Sequence, residues 1–382
     1  MKKDISFENP SIVCILFLLL FVIPGVLHET LLSARLVSPI WLSVILGITL
    51  LMMGMRLHAN APKTVVYYSI TAAICAGITI LNGTSIGMVL IKIVYVYMGF
   101  VGFMLFYKKE MDLWPFDFLM LGLYYFFYKV YYSLLLSGQL VNSDEAFATS
   151  SSNAISICLV TVLFIYYFLN EYYNKKRDVN ILLLSFANIV FIYFQGGRGG
   201  LIAAIAQSLV CIYGMFSKSK KFASKTLVIV FVIAVAGLLY SYMGIILDSY
   251  NTHGFERLIF EREDEARVYL LQYAIDHMDF SRFLLGYATG ESIEYDNRTY
   301  NAFIDYWLKY GLLPFVMLVA CTLRRILKWK QFNISIYVFL PLFLYTFAES
   351  YLTYGPWQYL LLTALFLGEK SQGIRQLQFK KR

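Results

Sequence analysis

An arginine set among glycines is the first feature of this sequence that suggests chemistry. Arg198 lies between two pairs of glycines in FQGGRGGLI (194–202), where one apolar run ends and the next begins. Glycine lets a bulky ligand approach the backbone closely, and the N-terminus of a helix favours an anion. The stretch therefore predicts an anion-binding turn that opens a helix. The alternative is a tight turn whose arginine marks the edge of an apolar layer.

More arginines occur in residues 248–304, the one long hydrophilic segment of the chain. Arg267, Arg282 and Arg298 lie there, and a guanidinium group can bind a phosphate or carboxylate through two parallel hydrogen bonds. The segment has more acidic than basic residues, so its arginines are individually placed rather than part of a basic patch. They are candidates for binding a phosphate, with pairing to neighbouring carboxylates as the alternative.

A carboxylate near the end of this segment could move a proton. Asp305 follows Asn301 by one helical turn, so the two share a helix face, and the carboxylate could accept the proton of an attacking hydroxyl. Glu349, at the end of a later apolar run, is the rival base. Tyr300 and Asn301 are candidate substrate contacts beside it.

Two lysines, Lys92 and Lys129, lie inside apolar runs. A charge at such a position is a functional candidate if the run crosses a membrane. A lysine near the end of a run can instead extend its amine to the membrane surface. Both interpretations stay open, and both lysines are kept as candidate substrate contacts.

Several common catalytic motifs are missing from the chain. It has neither a GxxxxGK[ST] loop nor a GxGxxG turn, so neither a bound nucleotide triphosphate nor a dinucleotide is expected. The four histidines have no metal-ligand spacing, and the five cysteines all lie within apolar runs. We therefore expect a site without cofactor or metal, in which arginines stabilise negative charge.

The elements that must position these residues are apolar helices. The chain is 59% hydrophobic and 15% charged, and it contains about 12 apolar stretches. A helix of roughly 20 apolar residues crosses a bilayer, and a spanning segment must satisfy its backbone hydrogen bonds internally. The sequence predicts an all-α polytopic membrane protein with spans near 11–28, 39–55, 64–81, 86–107, 115–136, 153–170, 179–195, 200–216, 225–247, 305–322, 333–349 and 354–368.

The distribution of lysine and arginine predicts the orientation. Most of the 32 Lys and Arg residues fall in segments that would be cytoplasmic if both termini were inside. The predicted organisation is a bundle of about nine spans (1–247), an extracytoplasmic loop with short helices (248–304), and about three further spans with a cytoplasmic tail (305–382).

Four stretches of the chain, taken in order, resemble the O-antigen polymerase and O-antigen ligase superfamily. They are GGRGGLI (196–202), ARVYLLQYAI (266–275), FLLGYATG (283–290) and YNAFIDYWLKYGLLPF (300–315). The resemblance extends over roughly residues 185–320 and depends on the order, spacing and common predicted outer placement of short motifs. Where the family often has histidine before asparagine, this chain has Tyr300, so a histidine base is not carried over.

The resemblance implies a glycosyltransferase C-type membrane fold in the bacterial inner membrane. It implies polymerisation of oligosaccharide repeat units carried on undecaprenyl pyrophosphate. For this chemistry we expect Arg198 and Arg267 to stabilise the leaving pyrophosphate, and Asp305 to act as the base. The implied partners are the lipid-linked oligosaccharide, membrane lipids, a chain-length regulator and a flippase, with no nucleic acid.

Two alternative functions stay open at this point. A ligase would transfer the finished glycan to another acceptor by the same chemistry. A transporter or flippase would move the lipid-linked oligosaccharide without breaking it. Transporters often contain two similar halves with broken helices at midplane, and the sequence has no such repeat.

Overall fold

The computed structural model describes residues 10–30, 62–81, 86–107, 111–136, 152–195, 198–218, 272, 276, 278–286, 302–329, 336–348 and 358–370. Every regular element in these ranges is a helix. Numbered in chain order, the α-helices are α1 Pro10–Phe17, α2 Ile23–Thr30, α3 Lys63–Leu81, α4 Ile86–Phe106, α5 Trp114–Leu136, α6 Ser152–Tyr172, α7 Asp178–Gln195, α8 Arg198–Lys218, α9 Phe280–Leu285, α10 Ala302–Tyr310, α11 Leu312–Trp329, α12 Leu340–Ala348 and α13 Gln358–Lys370.

Two short elements of other types complete the described part. A π-helical turn, Leu18–Val22, joins α1 to α2, and a 3₁₀ turn, Ile336–Phe339, precedes α12. In a π turn the backbone hydrogen bonds join residues five apart instead of four apart as in an α-helix. Here the Phe21 carbonyl accepts a hydrogen bond from the Tyr359 hydroxyl of α13, which ties the N-terminal helix to the C-terminal one.

Helix α6 forms the centre of the bundle. It packs against α2, α5, α7, α8, α12 and α13, and the side chains from Leu159 to Leu169 are buried throughout. A helix that is apolar on all sides must be surrounded on all sides, by protein or by lipid. The lack of polar positions along most of α6 therefore explains its central place.

Helices α6 and α8 run parallel, with α7 antiparallel between them. Gly200 of α8 contacts Ser156 near the start of α6, and Gly214 further along α8 contacts Tyr167 further along α6. At Gly200 an added Cβ would overlap the Ser156 side chain and lie 3.2 Å from Ile192 Cγ2 of α7. This glycine therefore allows the first turn of α8 to approach both neighbouring helices.

Buried side-chain amides connect these helices halfway along their length. Asn188 of α7 donates to the Leu159 carbonyl of α6 (3.2 Å), and Gln207 of α8 donates to the Val160 carbonyl (3.2 Å). The Tyr124 hydroxyl of α5 lies 2.7 Å from Asn188 Oδ1. Each buried polar group in this set thus has a partner, which offsets the cost of removing it from water.

A second polar cluster lies where α5 and α7 begin and α6 ends. Asp117 of α5 pairs with Arg177 and accepts hydrogen bonds from the Tyr166 hydroxyl (2.7 Å) and Asn180 Nδ2 (3.2 Å). Asn170 of α6 donates to Asp178 in the first turn of α7 (2.8 Å). These contacts fix the tight connection between α6 and α7.

The outward faces of several helices are apolar. In α5 the exposed positions recur at helical spacing, and they are Trp114, Phe118, Leu121, Tyr125 and Tyr128. A similar set follows α8, with Ile202, Ile205, Leu209 and Tyr213. A helix on the surface of a water-soluble bundle carries polar residues on its outer face. Exposed apolar stripes on two helices of one bundle are instead typical of a surface that meets lipid or another protein.

Two described helical stretches are long and apolar enough to cross a membrane: Ile155–Tyr172, with a mean hydropathy of 1.6, and Gly199–Ser217, with a mean hydropathy of 1.7. The first is almost entirely buried, as the core helix of a soluble protein would also be. The prediction of an all-helical chain is confirmed for the described residues, whereas the number of spans, about 12, stays a prediction.

One predicted span has a different structure. The sequence predicts a single helix over 305–322, but two helices occupy this region, α10 and α11, with Gly311 between them. Gly311 has a φ of 79°, and its N–H donates to the Trp307 carbonyl (2.7 Å), which closes the C-terminus of α10. The prediction of one continuous helix was wrong because hydropathy gives no information on backbone conformation, and Gly311 is left-handed. The predicted spans 39–55 and 225–247 lie outside the described residues.

Candidate active site

The two motif segments FLLG (283–286) and IDYWLKYGLLPF (304–315) lie against each other. Helix α9 packs on both α10 and α11. Trp307 Nε1 of α10 donates to the Phe283 carbonyl of α9 (3.2 Å), and the two aromatic rings meet edge to face with centroids 5.4 Å apart. The structure therefore brings together stretches that are separate in the sequence.

Two glycines make the closest contact between these segments. Gly286 ends α9 with φ 77° and ψ 173°, a conformation that is essentially restricted to glycine. A Cβ on Gly286 would overlap the carbonyl group of Lys309, and a Cβ on Gly311 would overlap the carbonyl group of Leu284. Backbone thus touches backbone at this point, and only residues without a side chain fit.

Helix α10 also contacts two further helices. The Tyr306 hydroxyl lies 3.0 Å from Cys75 Sγ of α3, and the Phe303 ring lies 5.8 Å from the Phe343 ring of α12. Tyr68 of α3 in turn lies within hydrogen-bond distance of Thr322 of α11 (2.6 Å). Helix α10 is therefore held by α3 and α12 as well as by α9 and α11.

Asp305 is buried on this short helix. It is 1% exposed, and it lies about 200° around the helix axis from Phe303 and from Trp307. Lys309 follows it by four residues on the same face, which is the favourable order for an acid and a base along a helix. A carboxylate is rarely removed from water without a functional or structural reason. The burial of Asp305 suits a general base, and this role stays a prediction.

Arg198 is the first residue of α8, as the sequence predicts. One of the flanking glycines, Gly200, has a structural explanation that the sequence did not indicate, since a Cβ there would overlap Ser156 of α6 and crowd Ile192 of α7. Helix α8 runs for 21 residues, so its dipole adds positive potential at the turn that carries Arg198. The position of Arg198 at the start of α8 and the dipole of this helix both favour a bound anion. Gly200, by contrast, is explained by helix packing alone.

Arg282 has a local partner. Its Nε lies 3.9 Å from Asp279 Oδ2, and the Asp279 side chain also caps α9 by accepting a hydrogen bond from the Arg282 backbone N–H (2.6 Å). Both side chains are partly exposed, and an ion pair of this kind contributes little to stability. The predicted alternative, pairing with a neighbouring carboxylate, therefore describes the observed contact of Arg282.

Lys129 and Lys92 both lie within helices. Lys129 is exposed on the outward face of α5, and its Nζ lies 5.8 Å from the centre of the Tyr125 ring. This cation–π contact belongs to the apolar stripe of α5 and so favours the surface interpretation for Lys129. Lys92 lies in α4.

The remaining candidates fall outside the described residues. Arg267, Arg298, Tyr300, Asn301 and Glu349 belong to this group, although α10 begins directly after Asn301 and α12 ends directly before Glu349. Their roles stay predictions.

The described residues contain no group of three or more His, Cys, Asp or Glu side chains that could hold a metal ion. Glu261, Glu263, Asp264 and Glu265, an acidic cluster of the long hydrophilic segment, lie outside those ranges, so the predicted absence of a metal is not tested by this observation.

The sequence analysis missed the contact between Gly286 and Gly311. A signal for each glycine was available, since glycine directly after an apolar helix is the usual residue for a left-handed helix end. Nothing in the sequence indicated that the two helix ends would meet. Cys75 and Tyr306 were missed for the same reason, because each is one apolar residue among many.

No protein-family model matches the chain, and no curated protein matches it.

Proposed function

We propose that this protein is a membrane glycosyltransferase that polymerises oligosaccharide repeat units carried on undecaprenyl pyrophosphate. The observation that carries the proposal is the packing of the FLLG segment (283–286) against α10, the helix that holds the buried Asp305. Two of the four motifs that resemble the polymerase and ligase superfamily thus form one structural unit that includes a candidate base.

The membrane part of the proposal is supported by the surface of the bundle. The exposed stripes of α5 and α8 are apolar and aromatic, and the buried interior contains hydrogen-bonded polar side chains. We propose about 12 spans in the bacterial inner membrane with both termini in the cytoplasm. Residues 248–304 would then lie on the outer face, together with the turn that carries Arg198.

The proposed reaction is a glycosyl transfer that needs no nucleotide. A hydroxyl of one repeat unit attacks the anomeric carbon of a chain held on the lipid, and Asp305 accepts the hydroxyl proton. The bond between the anomeric carbon and the phosphate oxygen breaks, and the lipid pyrophosphate leaves with the bonding electrons. Arg198 and Arg267 would stabilise this charge as it develops, which lowers the barrier more than binding the ground state would.

The other candidates would bind substrate. Arg282 and Arg298 would contact the pyrophosphate, which for Arg282 requires exchange of its exposed partner Asp279. Tyr300, Asn301 and Glu349 would contact sugar hydroxyls, and Lys92 and Lys129 the lipid phosphate region. No cofactor takes part in this scheme.

Deletion of the gene separates the three functions. Loss of a polymerase leaves single repeat units on the lipid carrier after export. Loss of a ligase leaves long chains on the carrier, and loss of a flippase leaves single repeats on the cytoplasmic side. Single exported repeats are the expected result, and either of the other two patterns would reject the proposal.

A second experiment tests the base. Asp305→Asn should lower the rate of chain extension by purified protein in lipid nanodiscs by about 10²–10⁴-fold, with Asp112→Asn as the matched control. Asp112 is an acid at the far end of the bundle, half exposed and 4.0 Å from Lys175. Full activity in Asp305→Asn would remove Asp305 from the mechanism, because an amide cannot accept the proton.

A further inference from the structure

The contact between Gly286 and Gly311 has a consequence for the proposed site, because it joins α9 to the end of α10. We infer that this glycine pair positions Asp305, so that both glycines are positioning residues for the reaction proposed above. The inference rests on that proposed function. It adds two residues, and a contact between two separate motifs, to the set of groups on which catalysis depends.

At this end α10 is held by the glycine contact and by Tyr310, which is buried with Cys75 and Tyr306. The helix has nine residues, and Gly311 breaks it from α11 with a φ of 79°. A change at Gly311 to the ordinary right-handed conformation would let α10 and α11 continue as one helix, which would rotate and shift α10 away from its present neighbours. The bend at Gly311 therefore determines where α10 points.

The backbone of α9 occupies the space next to Gly311, where α10 and α11 meet. The Leu284 carbonyl and the Leu285 Cα lie where a side chain on residue 311 would be, and the Lys309 carbonyl lies where a side chain on residue 286 would be. Each glycine therefore accommodates the backbone beside the other. Asp305 is one helical turn before Lys309, so displacement of the Lys309 backbone moves the carboxylate with it.

Two further contacts show that the junction is specific. The indole N–H of Trp307 donates to the Phe283 carbonyl, and the Tyr306 hydroxyl contacts Cys75. The contact of α10 with α3 is independent of α9. Loss of the glycine contact should therefore tilt α10 about its Cys75 side rather than release it, which misplaces Asp305 without unfolding the bundle.

The test uses the full-length protein in lipid nanodiscs and the lipid-linked repeat units that accumulate in a strain lacking this gene. Gly311→Ala should lower kcat roughly 100-fold, since a misplacement of about 1 Å can have an effect of this size. The KM for the lipid-linked unit should change less than kcat, because Arg198, Arg267 and Arg298 lie outside α9 and α10, although Asn301 directly precedes α10. Gly122→Ala and Gly77→Ala are matched controls, since nothing lies within 4 Å of a Cβ added at either helical position.

Gly311→Asn separates contact from conformation. Asparagine tolerates a left-handed φ at a helix end, so it should preserve activity if only the φ of residue 311 matters. Because its Cβ would still overlap the Leu284 carbonyl, we expect Gly311→Asn to be as inactive as Gly311→Ala. Recovery of activity with asparagine would show that activity depends on the φ of residue 311 and not on the close contact with Leu284.

Hydrogen exchange of peptides covering 278–286 supplies a readout that does not depend on activity. Gly311→Ala should speed exchange in these peptides, and the Gly122→Ala control should not. Unchanged exchange in Gly311→Ala would reject the contact. If the wild-type protein forms no polymer, the proposed function fails, while the exchange experiment still decides whether the glycine contact exists.

A double-mutant cycle tests whether the glycine acts through Asp305. Once Asp305→Asn has removed the base, Gly311→Ala should lower the residual rate by less than threefold, because its effect depends on the carboxylate. If instead the fold-changes in rate caused by the two substitutions multiply, Gly311 does not act through Asp305 and the positioning role is wrong. Faster exchange with unchanged polymerisation would likewise reject it.

Discussion

The substitution Gly200→Ala places a methyl group where α8 already touches α6. The added Cβ would overlap Ser156, whose own Cβ is fixed to the α6 backbone and cannot rotate away. It would also lie 3.2 Å from Ile192 Cγ2 of α7, which is tighter than an ordinary contact. The first turn of α8 must therefore move away from both helices, or α6 must shift.

The expected magnitude follows from two opposing effects. Alanine favours a helix over glycine by up to about 1 kcal/mol, which would stabilise the variant if there were space. Overpacking at a close helix contact costs about 1–3 kcal/mol. At Gly122 of α5 nothing lies within 4 Å of an added Cβ, so Gly122→Ala has only the favourable effect. We expect Gly200→Ala to be less stable than Gly122→Ala by about 1–3 kcal/mol.

Thermal unfolding of the purified protein in one detergent, followed by tryptophan fluorescence, compares the two variants. A cycle with Ser156→Gly isolates the contact, because removing the Ser156 Cβ opens the space that the new methyl group needs. Gly200→Ala should then be tolerated in the Ser156→Gly background, with a coupling of about 1–3 kcal/mol between the two sites. Equal stability of Gly200→Ala and Gly122→Ala, or no coupling, would refute the packing explanation for Gly200.

Other predictions concern the proposed chemistry and topology. Arg198→Ala should abolish polymerisation while the protein still accumulates in the membrane. Arg198→Lys should not restore activity, because an ammonium group lacks the planar fork of a guanidinium group. Full activity with lysine would show that positive charge alone is sufficient. Polymerisation by the purified enzyme should persist in excess EDTA, and loss of activity that Mg²⁺ or Mn²⁺ restores would refute the arginine-only mechanism. A cysteine introduced in residues 248–304 should react with an impermeant thiol reagent on intact cells; labelling only after lysis would reverse the topology. Tyr124→Phe should lower stability by about 1 kcal/mol, since it removes hydroxyl contacts with the Leu184 carbonyl (2.8 Å) and Asn188, and an unchanged unfolding temperature would show that these contacts add nothing.

Helix positions were largely predictable from the sequence. The apolar runs at 115–136, 153–170 and 179–195 match α5, α6 and α7 to within two residues at each end. Such runs are bounded by charged or turn-forming residues, so hydropathy alone places their ends. It does not place them in space, which is why the central position of α6 emerges only from its packing.

The details of the site were less predictable because they depend on contacts between distant segments. Asp305 was identified from its spacing to Asn301, but its burial depends on how α10 packs. The pairing of Arg282 with Asp279 could have been read from the sequence, since aspartate directly before a helix commonly caps it and lies three residues from the arginine. The glycine at 311 was a signal for a left-handed helix end, but its contact with Leu284 of α9 could not be predicted, because it joins segments that are separate in the sequence.

The chain of amides between α7 and α8 has a consequence for how the protein is assembled. Asn188 and Gln207 lie on consecutive helices, within 3.5 Å of each other, and both use carbonyls of α6 as acceptors. In a bilayer, either helix inserted alone would expose an amide to hydrocarbon, whereas the two together shield most of that polarity. In the membrane topology proposed above, α7 and α8 would therefore enter the bilayer most favourably as a hairpin, after α6 is in place. A slip of either helix by one residue would turn its amide away by about 100°, so the same contacts that help insertion also fix the register of the finished bundle.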